Sequence, residues 1–336
     1  MEFTAIAPAK IILSGEHSVV YGKQCLVTAV NRFAQAKIVP HLSSDICLTL
    51  FDFKQKASST IKALSGLRDR LLESYRLCMK GTLSIREVLQ KPSELFQFAL
   101  ISLIDTFQME LQKGFQVDVR SDIPIGCGMG SSAATIVSVI GAVANYLHIE
   151  IKPEWLHKLS IEVERLQHGV SSGVDSYVSL HGGCVKFQNG NATRLVLPSQ
   201  IPFYIINTGK PESSTGECVM QVAKQHKSSS IWNDFGDVTS MLEKALIESN
   251  MALFRECIGI NHRLLTKIGV VPKKAGAFIK QLEEHAIFAK ICGAGACTGD
   301  SCGILLATEM PPEDLCKEFD YTVLKMQPEP NGVRFV

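Results

Sequence analysis

Surplus charge, paired cysteines and long apolar runs are all missing from this chain of 336 residues, and each absence excludes a class of protein. With 34 Lys and Arg against 33 Asp and Glu, no net field recruits nucleic acid or an anionic membrane, so apart from a local patch the default partners are small ligands. Eleven cysteines are scattered without a C-x-x-C pair or a histidine at zinc-like spacing, and they read as reduced thiols. Residues 1–10, MEFTAIAPAK, have neither the charged n-region nor the apolar h-region of an export signal, so the expected compartment is the cytoplasm. One stretch, between Asp122 and His148, carries no charge at all. It opens with the loop-like IPIGCGMGSS, and its apolar part is shorter than the ~20 residues of a membrane-spanning helix, so it reads as a buried helix behind a glycine loop.

What is present is ample apolar material, 46% against 20% charged, enough for two cored domains. Strand-like runs at 5–13, 34–39, 46–51 and 115–119 alternate with helical segments at 59–79 and 93–110. Beyond the glycine loop come helices at 131–147 and 153–168, a short segment after Gly173, and strands at 182–188 and 192–196. Two prolines, Pro198 and Pro202, mark an expected boundary between a domain 1–199 and a domain 200–336. The second half reads as a strand, helices at 214–227, 238–247, 250–268 and 273–284, two strands around a glycine loop, a helix at 311–319 and a last strand. Helices backing an antiparallel sheet place the chain in the α+β class. The polar KQHKSSS at 224–230 reads as a loop.

The densest local signal is SDIPIGCGMGSSAA at 121–134. Gly126, Gly128 and Gly130 alternate just before a helix whose expected cap is Ser131 or Ser132. Such glycines admit close approach of a ligand, and the unpaired N–H groups of the first helical turn then converge on an anion. The pattern fits neither the P-loop, which needs a Lys-Ser/Thr pair, nor G-x-G-x-x-G. A glycine-serine turn before a helix also occurs as mere structure, so the loop needs partners.

Two carboxylates are candidates. On one unbroken helix, Glu164 and Asp175 would share a face but stand about 16 Å apart. Gly169, Ser171, Ser172 and Gly173 break that helix and let the chain fold Asp175 back toward Glu164. Phosphoryl transfer needs a carboxylate or hydroxyl on magnesium and a second group to orient or deprotonate the attacking alcohol. The competing reading makes Glu164 a solvated surface residue and Asp175 a turn cap.

Lys10 lies among Ile and Leu in a strand-like run. Its ammonium must find Asp175 or a phosphate, or else snorkel to water from a sheet edge. His17, in the turn beyond, reads by itself as a satisfied turn histidine.

Three segments, PAKIILSGEHSVVYG at 8–22, PIGCGMGSSAA at 124–134 and ICGAGACTGDSCGIL at 291–305, together resemble the GHMP kinase superfamily over nearly the whole chain. Within it, GEHSVVYG and HGVSSGVDSYVSLHGG are similar to the mevalonate kinase family rather than to galactokinase or homoserine kinase. The resemblance implies a two-domain fold, the first domain like ribosomal protein S5 domain 2 and the second ferredoxin-like, with the final NGVRFV returning to the first. It implies ATP and magnesium as cofactors, mevalonate as the small-molecule acceptor, and a homodimer.

By the same resemblance Asp175 accepts the proton of the C5 hydroxyl, and Lys10 stabilises the alkoxide and the γ-phosphate. Ser121 and the loop with Gly126, Gly128, Gly130, Ser131 and Ser132 bind ATP. Ser132 and Glu164 hold the metal, Glu16 and His17 face the acceptor, and Thr215 touches substrate or Asp175. Two departures stand out. The third motif is longer than the family's GAGGGGCG and contains Asp300, and KPESST at 210–215 has Glu212 or Ser213 where K-V-P-R-S-T has a base. Phosphomevalonate kinase, another GHMP kinase, or a nucleotide-binding regulator of the same fold remain as alternatives.

Overall fold

A computed structural model describes residues 3–40, 43–111, 113–198 and 204–336. Its spine is a long antiparallel pair, β1 (Phe3–Ser14) and β2 (Cys25–Pro40), with a register shift between Pro8 and Ala9 where proline offers no ladder donor. β3 (Ile46–Leu50), β4 (Gln55–Ser59), β5 (Phe115–Ser121), β6 (Cys184–Gln188) and β7 (Asn191–Leu195) extend the sheet from β2. β5 pairs with the C-terminal half of β2 and β6 with its N-terminal half, so β2 carries a branched sheet.

Five helices cover this sheet: α1 (Ile61–Met79), α2 (Pro92–Thr106), α3 (Ser131–Tyr146), α4 (Pro153–His168) and α5 (Val174–His181). Every residue of α3 from Ala133 to Ala144 is buried. A helix apolar all round belongs inside, and α3 packs on β1 and β2 with α2, α4 and α5 about it. The uncharged stretch is therefore a core helix, and no helix among the described residues is long and apolar enough to cross a membrane.

The second sheet holds β8 (Tyr204–Asn207), β9 (Ala289–Ile291), β10 (Ile304–Ala307) and β11 (Thr322–Lys325), all antiparallel in the order β11-β8-β10-β9. Between β8 and β9 run α6 (Thr215–His226), α7 (Ile231–Ile247), α8 (Met251–Lys267) and α9 (Lys273–Glu284), and α10 (Glu313–Glu318) precedes β11. With strands numbered within this half, the order is 4-1-3-2, the ferredoxin-like arrangement. The chain then returns to the first sheet, where β12 (Arg334–Phe335) pairs with β1 through Ala5 and Phe335. The α+β, two-domain architecture is thus present, while the expected division at 199/200 lies outside the described residues.

Three expectations need correction. β2 begins at Cys25, not near 34, because CLVTAV is buried on both faces between β1 and β6 and shows no alternation. β4, the polar QKASS, gave no apolar signal and pairs at the sheet edge. The 224–230 segment is not all loop: Lys224–His226 finish α6, and α7 starts at Ile231, seven residues before the expected 238, with Trp232 and Phe235 buried.

The return of the tail depends on Gly182, whose φ of 66° and ψ of −171° only glycine adopts readily. A Cβ there would lie 2.2 Å from the Asn331 carbonyl carbon. Gly182→Ala is expected to destabilise the protein by about 2–4 kcal/mol, measured by calorimetry, since both backbone strain and a clash must be relieved.

Candidate active site

The lysine of β1 is fixed at both ends to the glycine loop. Its backbone N–H donates to the Met129 carbonyl at 3.0 Å, and Nζ donates to the Gly128 carbonyl at 3.1 Å. Nζ also lies 3.1 Å from Asp175 Oδ1, the carboxylate side being about a third exposed and the lysine nearly fully enclosed. Lys10 therefore does not snorkel.

Asp175 reaches it because α4 ends at Gly169, φ 76°, and α5 begins after Gly173, φ 79°, folding the chain back as the sequence suggested. The fold-back also brings Asp175 close to Glu164, which is buried, not a surface residue. Burial, then the Asp175 charge, pushes the Glu164 carboxyl up to about 8, while Ser171 Oγ donates to its Oε2 at 3.1 Å and works the other way.

Neither serine caps α3. Gly130 occupies the cap position at φ 70°, ψ 30°, and a Cβ there would come within 2.9 Å of the Lys10 stem. Both hydroxyls are thereby released from capping, and Ser132 Oγ lies 3.5 Å from His168 Nε2. Gly128 faces the third glycine motif: a Cβ on it would lie 2.5 Å from the Cys292 carbonyl oxygen. The two glycine loops thus touch backbone to backbone across the two sheets, and Ile304 N–H donates to the Cys127 carbonyl at 3.1 Å beside them.

A cavity of ≈ 610 Å³ opens at this junction. Lys10, Glu16, His17, Ser121, Gly126 and Gly128 all line it, and so do Gly130, Ser131, Ser132, Glu164, Asp175 and Thr215. That volume is ordinary for a small-molecule site. The individual residues differ in what they have to offer. Ser121, the last of β5, accepts from Ile123 N–H at 3.1 Å. Thr215 is exposed at the start of α6 and makes no hydrogen bond to Asp175. His17 Nε2 lies 3.0 Å from the Ala294 carbonyl, and burial lowers its pKa to about 4. A neutral ring facing a carbonyl carries its proton on Nε2, which leaves Nδ1 as an acceptor. Glu16 is ion-paired with Lys290 of β9, an interaction between the two halves of the chain.

The sequence reading missed Lys290 and His168. Both had a signal: Lys290 stands among apolar strand residues as Lys10 does, and His168 lies four residues after Glu164 on one helical face. The two departures in sequence also prove to be neighbours, since a Cβ on Gly299 of the lengthened motif would lie 2.5 Å from Glu212.

The donors near the glycine loop suit a hard cation: a buried carboxylate, Glu164, and a hydroxyl, Ser132. Burial and the neighbouring Asp175 raise the Glu164 pKa, and a bound cation would lower it again. Among the described residues no group of three or more His, Cys, Asp or Glu side chains could hold a metal. Magnesium does not require one, because substrate phosphates and water complete its shell.

Comparison with known proteins now bears on this geometry. Residues 95–183 match the family model of the GHMP kinase N-terminal domain, a span that runs from α2 through the glycine loop to just past α5 and includes Asp175. The mevalonate kinase of Thermococcus sibiricus is 32% identical, across 93% of this chain and 91% of its own length. This chain belongs to the mevalonate kinase family. A second family member, from Pyrococcus horikoshii, is 31% identical over 90% of this chain and 88% of its own. A crystal structure of mevalonate kinase superposes with a TM-score of 0.77 at 23% identity, covering 97% of this chain and 98% of that one, which speaks to the fold.

The Glu164 carboxyl gives a pH test. Its folded pKa is raised from 4.5 to about 8, so the folded chain keeps a proton that the unfolded chain releases. That contribution is complete below the ordinary value and is lost as pH rises through about 8. In metal-free buffer the melting temperature of the wild type is expected to fall between pH 5 and pH 8.5 by more than that of Glu164→Gln, as read by thermal scanning.

Proposed function

We propose that the chain is a mevalonate kinase that transfers the γ-phosphoryl group of ATP to the C5 hydroxyl of mevalonate, a step of isoprenoid biosynthesis. The observation that carries this reading is the contact of Lys10 with both Asp175 and the Gly128 carbonyl, which joins a candidate base to a candidate phosphate cradle. Asp175 takes the hydroxyl proton as the alcohol oxygen attacks phosphorus and the bond to ADP breaks. Lys10 offsets the negative charge that gathers between them. Such general-base help is worth about 10²–10⁴ in rate.

The alternating glycines Gly126, Gly128 and Gly130 leave room for the ATP phosphates against the N-terminus of α3, where free N–H groups favour anions. Ser121, Ser131 and Ser132 lie along the same wall. Ser132 and Glu164 would hold magnesium, which when bound neutralises phosphate charge. Glu16, His17 and Thr215, which line the same cavity, are assigned to the acceptor by family resemblance. Eleven free thiols support a reducing, cytoplasmic setting. A homodimer belongs to the proposal through family resemblance, and light scattering tests it.

Asp175→Asn is expected to lower kcat by about 10²–10⁴ while ATP affinity, read by nucleotide titration, changes little. Near-normal turnover would exclude Asp175 as the base. A coupled assay offering mevalonate, phosphomevalonate and galactose separately is expected to respond to mevalonate alone, and turnover only with phosphomevalonate would overturn the choice of acceptor.

A further inference from the structure

Lys210 lines the cavity, yet the reading above assigns it no role. It follows β8, and among the described residues it has neither an ion-pair nor a hydrogen-bond partner. Lys10 and Arg86, which line the same cavity, each have a carboxylate of their own, Asp175 and Glu217. His17 is neutral through burial. An exposed lysine with no partner is ordinary on a surface, so the case rests on where this one is held.

Its backbone is fixed on both sides. Gly209 donates its N–H to Asn207 Oδ1 at 3.0 Å, and its carbonyl accepts from Gly303 N–H, in the third glycine motif, at 3.1 Å. Pro211 then restricts Lys210 to extended conformations. From there the stem crosses to the first half of the chain. A Cβ on Gly126 would meet Lys210 Cε at 3.3 Å and Cγ at 3.6 Å, so the stem lies flat on the glycine loop. The charge is felt at the loop as well, since it opposes the burial that pushes up the Cys127 thiol.

Two lysines thus stand at opposite ends of one glycine loop. Lys10 lies against Gly130 and Gly128, beside Asp175, where the phosphoryl group and the acceptor meet in the proposed reaction. Lys210 lies at Gly126, the first of the three alternating glycines. A nucleotide laid along the loop with its γ-phosphate at Lys10 brings its other phosphates toward Gly126. The triphosphate stays negative even with magnesium bound, and a further cation offsets the remainder.

We infer that Lys210 binds a phosphate of the nucleotide that is not transferred, so that the second half of the chain supplies a cation to the glycine loop of the first. The inference rests on the functional reading above only in taking ATP as the donor. An ammonium on a flexible stem meets a phosphate as a point charge and needs no bidentate geometry. The competing anion is the carboxylate of the acceptor, and the experiment separates the two.

Binding of ATP, ADP and adenosine to the wild type and to Lys210→Met, each with magnesium present, is read by calorimetric titration. Lys210→Met is expected to weaken ATP and ADP by about 10-fold, the effect of losing one charge-assisted hydrogen bond, and to leave adenosine within about 2-fold. The KM for mevalonate should move by less than about 3-fold. Methionine keeps the stem, and Lys210 is exposed, so the variant should fold; an unchanged melting temperature without ligand checks this. Unaltered affinity for ATP and ADP, or an equal loss for adenosine, would overturn the inference. So would a raised KM for mevalonate with nucleotide binding intact, which would give Lys210 to the acceptor carboxylate. A wild type that binds ATP but turns over no mevalonate would sink the functional reading on its acceptor and leave the inference standing, whereas one that binds no ATP would end both.

Discussion

Lys10 carries its charge at 2% exposure, and much of the first domain can be understood as the means of keeping that charge in place. An ammonium removed from water must gain partners worth its lost hydration, or give up its proton. Here the partners are one carbonyl and one carboxylate, Gly128 and Asp175, and each imposes a demand on distant sequence. The carbonyl requires the glycine loop to lie flat against β1, which is why Gly130 cannot carry a side chain beside the lysine stem. The carboxylate requires the helix containing Glu164 to stop and turn back, which the two positive-φ glycines at 169 and 173 accomplish.

The same fold-back gives two carboxylates opposite characters. Asp175 is partly exposed and lies against a cation; Glu164 is enclosed, and the charge of Asp175 adds to its burial in favouring the proton. Environments that drive two neighbouring acids apart are the usual way a site divides roles between them. Asp175 is the carboxylate on which the proposed base role rests, whereas Glu164 holds its proton more tightly than an ordinary carboxyl, and a bound cation would release it. Cooperation between the halves of the chain is equally physical, because Gly128 meets Cys292 and Gly303 meets Cys127, backbone against backbone, beside the cavity.

Much of this was legible in the sequence, and the reasons vary by element. α9 could be read to the residue because its apolar positions recur with helical period, and α3 nearly so because its uncharged run follows directly on the glycine loop. Pairing was one of two readings that the cost of burying charge left open for Lys10, and the approach of Asp175 to Glu164 was readable from the glycines that break the helix. The first half of β2 was hidden because a strand buried on both faces has no alternation, and β4 because an edge strand needs little apolar surface. The choice of Ser131 or Ser132 as cap failed for a different reason: the glycine before them takes the left-handed conformation and starts the helix itself. Roles drawn from resemblance, such as that of Glu16, named the residue but not the buried lysine that holds it.

What the sequence could not show is that its two departures from the family pattern lie against each other. The segment around Glu212 lacks the expected base, yet the lengthened third motif lies directly on it at Gly299, and Arg86 reaches across from the 3-10 turn Ile85–Glu87 to donate to the Glu212 carbonyl at 2.9 Å. Arg86 also pairs with Glu217, which in turn closes the capping box of α6 on Ser214. Lys210, at the start of the segment, lays its stem along Gly126 of the glycine loop. Arg86, paired with Glu217 and arriving from a different element, thus shares this wall of the cavity with Lys210 and Glu212. A motif compared position by position registers a missing base, while the folded chain brings Arg86 to the same wall from elsewhere in the sequence.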